Sequence, residues 1–100
     1  MSVEWDPVDP ELAALRDAID GLDRQILELV ARRVEVVLQV GDYKRARNLR
    51  VYDPARERDV LDKLCAACRE PLTRETVRRI FERLIDESRR LEQLHVSDPK

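Results

Sequence analysis

Leu12, Leu15, Ile19, Leu22, Ile26, Leu29, Val36 and Val40 recur in steps of three and four, with Arg33 in the same register between Leu29 and Val36. That spacing lines one face of an α-helix. Ahead of it, Asp9-Pro10-Glu11 reads as an N-cap, a first-turn proline and a first-turn acid. Only Gly21 and Gly41 interrupt the run, so the pattern predicts one helix to about Arg45, roughly 50 Å long at 1.5 Å per residue. A compact domain of this size has a radius of gyration of about 13 Å. Such a rod overhangs its own domain, and its apolar stripe needs cover that a second chain supplies most simply.

The segment from Ala46 to Tyr52 is a polar connection, and Asp53-Pro54 again has the form of a cap followed by a first-turn proline. Val60, Leu61, Leu64, Cys65 and Cys68 carry a second helix to about Arg69, before Glu70 and Pro71 break it. Thr73 can cap a third helix with Glu75 in its first turn. Its stripe is Val77, Ile80, Phe81, Leu84, Ile85, Leu91 and His95, with Ser88 in register between Leu84 and Leu91. The fold class is therefore all-α, a three-helix chain with a long first helix. The expected domain spans residues 9–95, between tails at 1–8 and 96–100.

Composition supports this reading: 40% charged residues, four aromatics and two glycines favour helices with salt-bridged outer faces over sheets with glycine turns. One hundred residues make one domain that buries only a modest fraction of its surface alone. Nineteen basic residues against 21 acidic ones give a net charge of −2, so there is no general attraction to nucleic acid or anionic membrane. A nucleic-acid reading built on Lys44, Arg45, Arg47 and Arg50 runs against that acidity and the scarcity of aromatics. Glu4, Asp6 and Asp9 in the first ten residues argue against a signal peptide, and no run has the length to span a bilayer. The expected compartment is the cytoplasm. Cys65 and Cys68 form a C-x-x-C with no second pair, and the only histidine is His95. Two small packing residues on one helix are expected there, and no metal site.

Arg33 and Ser88 are the polar residues that fall on apolar stripes. A buried charge without a partner loses several kcal/mol of hydration. Arg33 thus reads either as a salt bridge to an acid such as Glu57 or Glu92, as a snorkelling side chain, or as an internal anion site. Lys44 lies eleven residues further on, about three turns and nearly the same face. Asp53, Arg56 and Glu57 occupy the cap and first turn of the second helix, and Glu92 sits one turn beyond Ser88. Jointly they imply a cation-lined pocket inside the bundle, although each alone also fits a solvated surface pair.

The run L-x-x-L-R-x-x-I-x-x-L-D at Leu12–Asp23, A-R-R at 31–33, V-G-x-x-K at 40–44 and D-P-x-R-E-R at 53–58 resembles the all-α chorismate mutases. The resemblance extends from about Leu12 to Glu92. It implies an intertwined helical-bundle homodimer whose long first helices are shared between two equivalent sites. By the same resemblance, Arg33 grips one substrate carboxylate and Arg16 reaches into the other subunit's site. Lys44 donates to the ether oxygen and a carboxylate. Asp53, Arg56 and Glu57 match the start of the second helix, where the family's glutamate takes the ring hydroxyl, and Ser88 matches a pocket serine near a carboxylate. The family's last ether-oxygen contact is often a glutamine; here that position is Glu92, which could instead pair with a cation at the bundle end.

What the resemblance implies for activity is the rearrangement of chorismate to prephenate, in phenylalanine and tyrosine biosynthesis, with no cofactor. Such a reaction needs confinement of a floppy dicarboxylate and donors aimed at an oxygen that gains charge. Alternatives are an isochorismate pyruvate lyase, an aminodeoxychorismate mutase, or a weakly active helical module that partners a shikimate-pathway enzyme.

Overall fold

The structure is a computed structural model that describes residues 9–97. The expected tail residues 1–8 and 98–100 lie outside the described residues. Three helices account for nearly all of the described chain: α1 (Pro10–Ala46), α2 (Pro54–Ala66) and α3 (Arg74–Ser97). There is no strand among the described residues. None of the helices is long and apolar enough to cross a membrane. The chain divides into two compact units, residues 1–33 and 34–100.

The first unit is the N-terminal part of α1. Its start follows the expected cap, since the Asp9 carboxylate accepts from the backbone N–H of Glu11 at 3.0 Å and of Leu12 at 3.2 Å. The apolar stripe is present but uncovered within one chain. Leu15 is 65% exposed, and Ile19, Leu22, Ile26 and Leu29 stay between 56% and 58%. At about 25 cal/mol per Å2 of apolar surface, a row of half-exposed aliphatic side chains represents several kcal/mol of unrealised burial.

The second unit holds the end of α1, all of α2 and all of α3. At the end of α1, Asn48 takes a left-handed φ of 56°, which asparagine tolerates better than most residues. The Leu49 N–H then reaches back to the Lys44 carbonyl at 2.8 Å, closing the last turn. Asp53 caps α2 through the Arg56 N–H, at 3.0 Å, and Thr73 caps α3 through the Thr76 N–H, at 3.1 Å.

α2 is shorter than its apolar spacing predicts. Ala67 donates to the carbonyls of both Lys63 and Leu64, and Cys68 to that of Cys65. The two three-residue steps, to Leu64 and to Cys65, tighten and end the helix, with Pro71 soon after unable to donate. Cys68 consequently lies past the helix, half-buried, while Cys65 is buried on it. α2 packs on α3 around Cys65, Val77 and Ile85. Leu61 and Leu64 on α2 and Phe81 and Leu84 on α3 are half-buried. Ile80 and Leu91, on the expected α3 stripe, remain 52% and 45% exposed.

Candidate active site

In the second unit Lys44 and Glu57 lie close enough to Glu92 for their charges to act on it, and Ser88 is buried one turn before Glu92 on α3. The turn at Asn48 folds the connection back, so that the half-buried Lys44 ammonium donates to the Val51 carbonyl at 3.2 Å. One turn earlier, Gly41 is buried against α3. A Cβ there would meet Glu92 Cγ at 3.0 Å, Val96 Cγ1 at 3.0 Å and Glu92 Oε2 at 3.2 Å. Only a residue without a side chain lets the helices approach this closely. A contact of 2.9 Å between His95 Nε2 and Asp42 Oδ1 lies beside this approach.

Glu92 is left 8% exposed. Burial pushes its carboxyl above the ordinary glutamate value, the nearby Lys44 charge pulls it back, and Glu57 adds to the upward push. The net direction is upward, because loss of hydration penalises the charged form more than one flexible ammonium repays. Ser88, one turn before Glu92, is 3% exposed and donates its hydroxyl to the Leu84 carbonyl at 2.7 Å.

On α2 the expected residues part company. Asp53 spends its carboxylate on its own helix cap. Arg56, expected to face inward, is exposed and pairs with Asp59 at 3.1 Å; its long stem reaches an acid on the next turn, and water solvates the pair. Glu57 alone turns toward α3. There Arg89, which the apolar spacing does not single out, meets it as a fork: Nε to Oε2 at 2.9 Å and a terminal nitrogen to Oε1 at 3.3 Å. Arg89 also contacts Asp86 at 2.6 Å and lies 5.3 Å from the centre of the Tyr52 ring. The available signal was its place one residue after Ser88 and three before Glu92.

Arg16 and Arg33 belong to the first unit. Arg16 is exposed on α1, and Arg33 is half-buried. No group of three or more His, Cys, Asp or Glu residues that could hold a metal ion occurs among the described residues.

Chemically, the second-unit cluster offers an ammonium, a carboxyl that burial raises above the ordinary glutamate value, and a carboxylate gripped by a guanidinium. The ammonium can donate to an oxygen that is gaining charge, the raised carboxyl can do so in its protonated form, and the gripped carboxylate can accept from a hydroxyl.

The family profile described as chorismate mutase type II matches residues 15–93. A chorismate mutase of Methanocaldococcus jannaschii is 29% identical over 89 residues, covering 88% of this chain and 90% of its own length. The T-protein of Enterobacter agglomerans is 47% identical over 51 residues, which is 51% of this chain, and the match spans only 14% of that longer protein. Among solved structures, the chorismate mutase of Helicobacter pylori in complex with prephenate superposes with a TM-score of 0.82 at 26% identity, over 92% of this chain and 100% of that one.

Proposed function

The chain belongs to the chorismate mutase type II family, and on that footing we propose that it rearranges chorismate to prephenate, with residues 9–95 as the catalytic domain. The observation that carries this reading is a buried Glu92 beside Lys44, where Gly41 makes room for it. Chorismate is a dicarboxylate whose ether bond breaks as a carbon–carbon bond forms, in one concerted step that requires no nucleophile. The ether oxygen gains negative charge on the way. Lys44 donates to it from one side, and protonated Glu92, in place of the glutamine frequent in the family, donates from the other. One such preorganised donor contributes roughly 3 kcal/mol to transition-state stabilisation.

Glu57 accepts the ring hydroxyl, and Ser88 stands by a carboxylate. Arg33 grips one carboxylate, and Arg16 of a second copy grips the other, which holds the enolpyruvyl group over the ring. Asp53 and Arg56 act at the rim, through the start of α2. The functional unit is an intertwined homodimer, supported by the uncovered stripe from Leu15 to Leu29. The compartment is the cytoplasm.

The test is to follow chorismate absorbance and prephenate formation by NMR after adding the purified chain, beside parallel incubations with isochorismate and aminodeoxychorismate. Catalysed conversion of chorismate to prephenate is expected. Turnover of one of the other two substrates in its stead overturns the assignment, and no turnover of any of them leaves the family's fold serving as a helical partner for another enzyme.

A further inference from the structure

We propose that Arg89 is a positioning residue for Glu57, its guanidinium fork fixing the orientation in which that carboxylate receives the substrate's ring hydroxyl. This rests on the reading of the site given above. Glu57 stands in the first turn of α2, where its side chain has several rotamers open to it. Arg89 removes that freedom by donating to both carboxylate oxygens, at 2.9 and 3.3 Å. Fork-on-carboxylate geometry sets the plane of the acceptor as well as its distance. Each oxygen keeps a lone pair, so the held carboxylate can still accept one further hydrogen bond.

The guanidinium is itself held from two other directions. Asp86, one turn earlier on α3, takes the terminal nitrogen that also serves Glu57, at 2.6 Å. The Tyr52 ring, from the connection before α2, lies 5.3 Å from the guanidinium carbon, within reach of a cation–π attraction. The Arg89 and Glu57 side chains are only 29% and 25% exposed, whereas among the described residues, in the Arg or Lys pairs with Asp or Glu that do not involve Arg89, every side chain is at least 43% exposed. Position matters as well as strength. Arg89 follows Ser88 and precedes Glu92 by three residues, so it joins the part of α3 that buries these two polar residues to the start of α2.

Arg89 also separates the roles of two carboxyl groups. Glu57 pushes against the charge on Glu92. A carboxylate gripped by a cation keeps its lone pairs for a hydroxyl, so the fork suits Glu57 to accept, while burial favours the protonated form of Glu92.

The test is a double-mutant cycle on the full chain with chorismate, using Arg89→Gln, Glu57→Gln and the combination, with Arg89→Lys as the conservative variant. A hydrogen bond to the ring hydroxyl exists before and during the reaction, so its loss raises KM more than it lowers kcat. Arg89→Gln is expected to raise KM about tenfold. The double variant should lose no more than Glu57→Gln alone, because Arg89 acts only through Glu57. Arg89→Lys keeps the charge without the fork, and should recover the melting temperature while leaving KM raised; it also carries the test should Arg89→Gln fail to fold.

A KM unchanged in Arg89→Lys, or a double variant whose loss is the product of the single losses, overturns the positioning role. Glu57→Gln with an unaltered KM in an otherwise active enzyme overturns the placement of Glu57 in the site, and the inference with it. Wild-type protein that leaves chorismate untouched overturns the function itself.

Discussion

Gly41 on α1 and Glu92 on α3 touch so closely that a methyl group on the glycine would make its neighbours give by a few tenths of an ångström: a Cβ would stand 3.0 Å from Glu92 Cγ and 3.2 Å from Oε2. In an exposed helix, alanine in place of glycine gains about 1 kcal/mol. Here the added carbon also meets Val96 Cγ1 at 3.0 Å, and overpacking of that kind costs about 1–3 kcal/mol. Gly41→Ala is expected to lose about 1 kcal/mol net, a fall of about 5 °C in Tm for a domain of this size. Because the displaced group is a proposed donor, kcat should fall more than the stability change explains. Thermal melts and initial rates check both, and a Gly41→Ala protein with raised Tm and full activity contradicts the contact.

Glu92 carries a pH signature. Its carboxyl is raised above the ordinary glutamate value chiefly by burial, so the folded state holds that proton more tightly than the unfolded chain. Stability linked to it is complete below the unfolded value and is lost as pH rises through the raised folded value. As hydrogen-bond donor to the ether oxygen, Glu92 should make kcat/KM fall as pH rises through the same raised value. Glu92→Gln is expected to flatten both profiles, to raise Tm relative to wild type at neutral pH, and to keep or improve activity there. If the rate profile keeps its shape in Glu92→Gln, Glu92 touches no substrate and merely closes the bundle end.

Lys44 donates to the Val51 carbonyl, and its charge acts on the neighbouring Glu92. Lys44→Ala should lower kcat by about a hundredfold or more while far-UV circular dichroism stays near wild type. Arg33→Ala should produce a loss of similar order through the substrate carboxylate. Either variant retaining most of its activity removes that residue from the site.

The uncovered stripe predicts assembly. Sedimentation equilibrium at micromolar concentration should give a dimer, and Ile19→Lys, in the middle of the stripe, should yield chains that neither dimerise nor turn over chorismate. Arg16→Ala and Lys44→Ala proteins, each inactive, should regain activity when unfolded together and refolded. Random pairing makes half the dimers mixed, each with one intact site, so about a quarter of wild-type activity is expected. No recovery in demonstrated heterodimers removes Arg16 from the partner's site.

Periodicity alone determined the three helices, and the caps at Asp9, Asp53 and Thr73 marked their starts, because spacing and capping are properties of neighbouring residues. The placement of Ser88 and Glu92 inside the bundle was legible for the same reason: both are polar residues on or beside an apolar stripe. The stop of α2 at Ala66 was not, since the competing three-residue hydrogen bonds depend on how the following turn closes. Arg56 and Arg89 show the limit most plainly. Both are arginines in charged runs, and nothing local says that the first pairs outward with Asp59 while the second reaches Glu57, 32 residues away. Likewise, Gly41 reads in the sequence as a mild interruption of a helix, and only the approach of α3 turns it into the space that Glu92 occupies. Periods and caps are written in the chain; which charge meets which, and how closely, depends on the distance between helices, and that is fixed only when they pack.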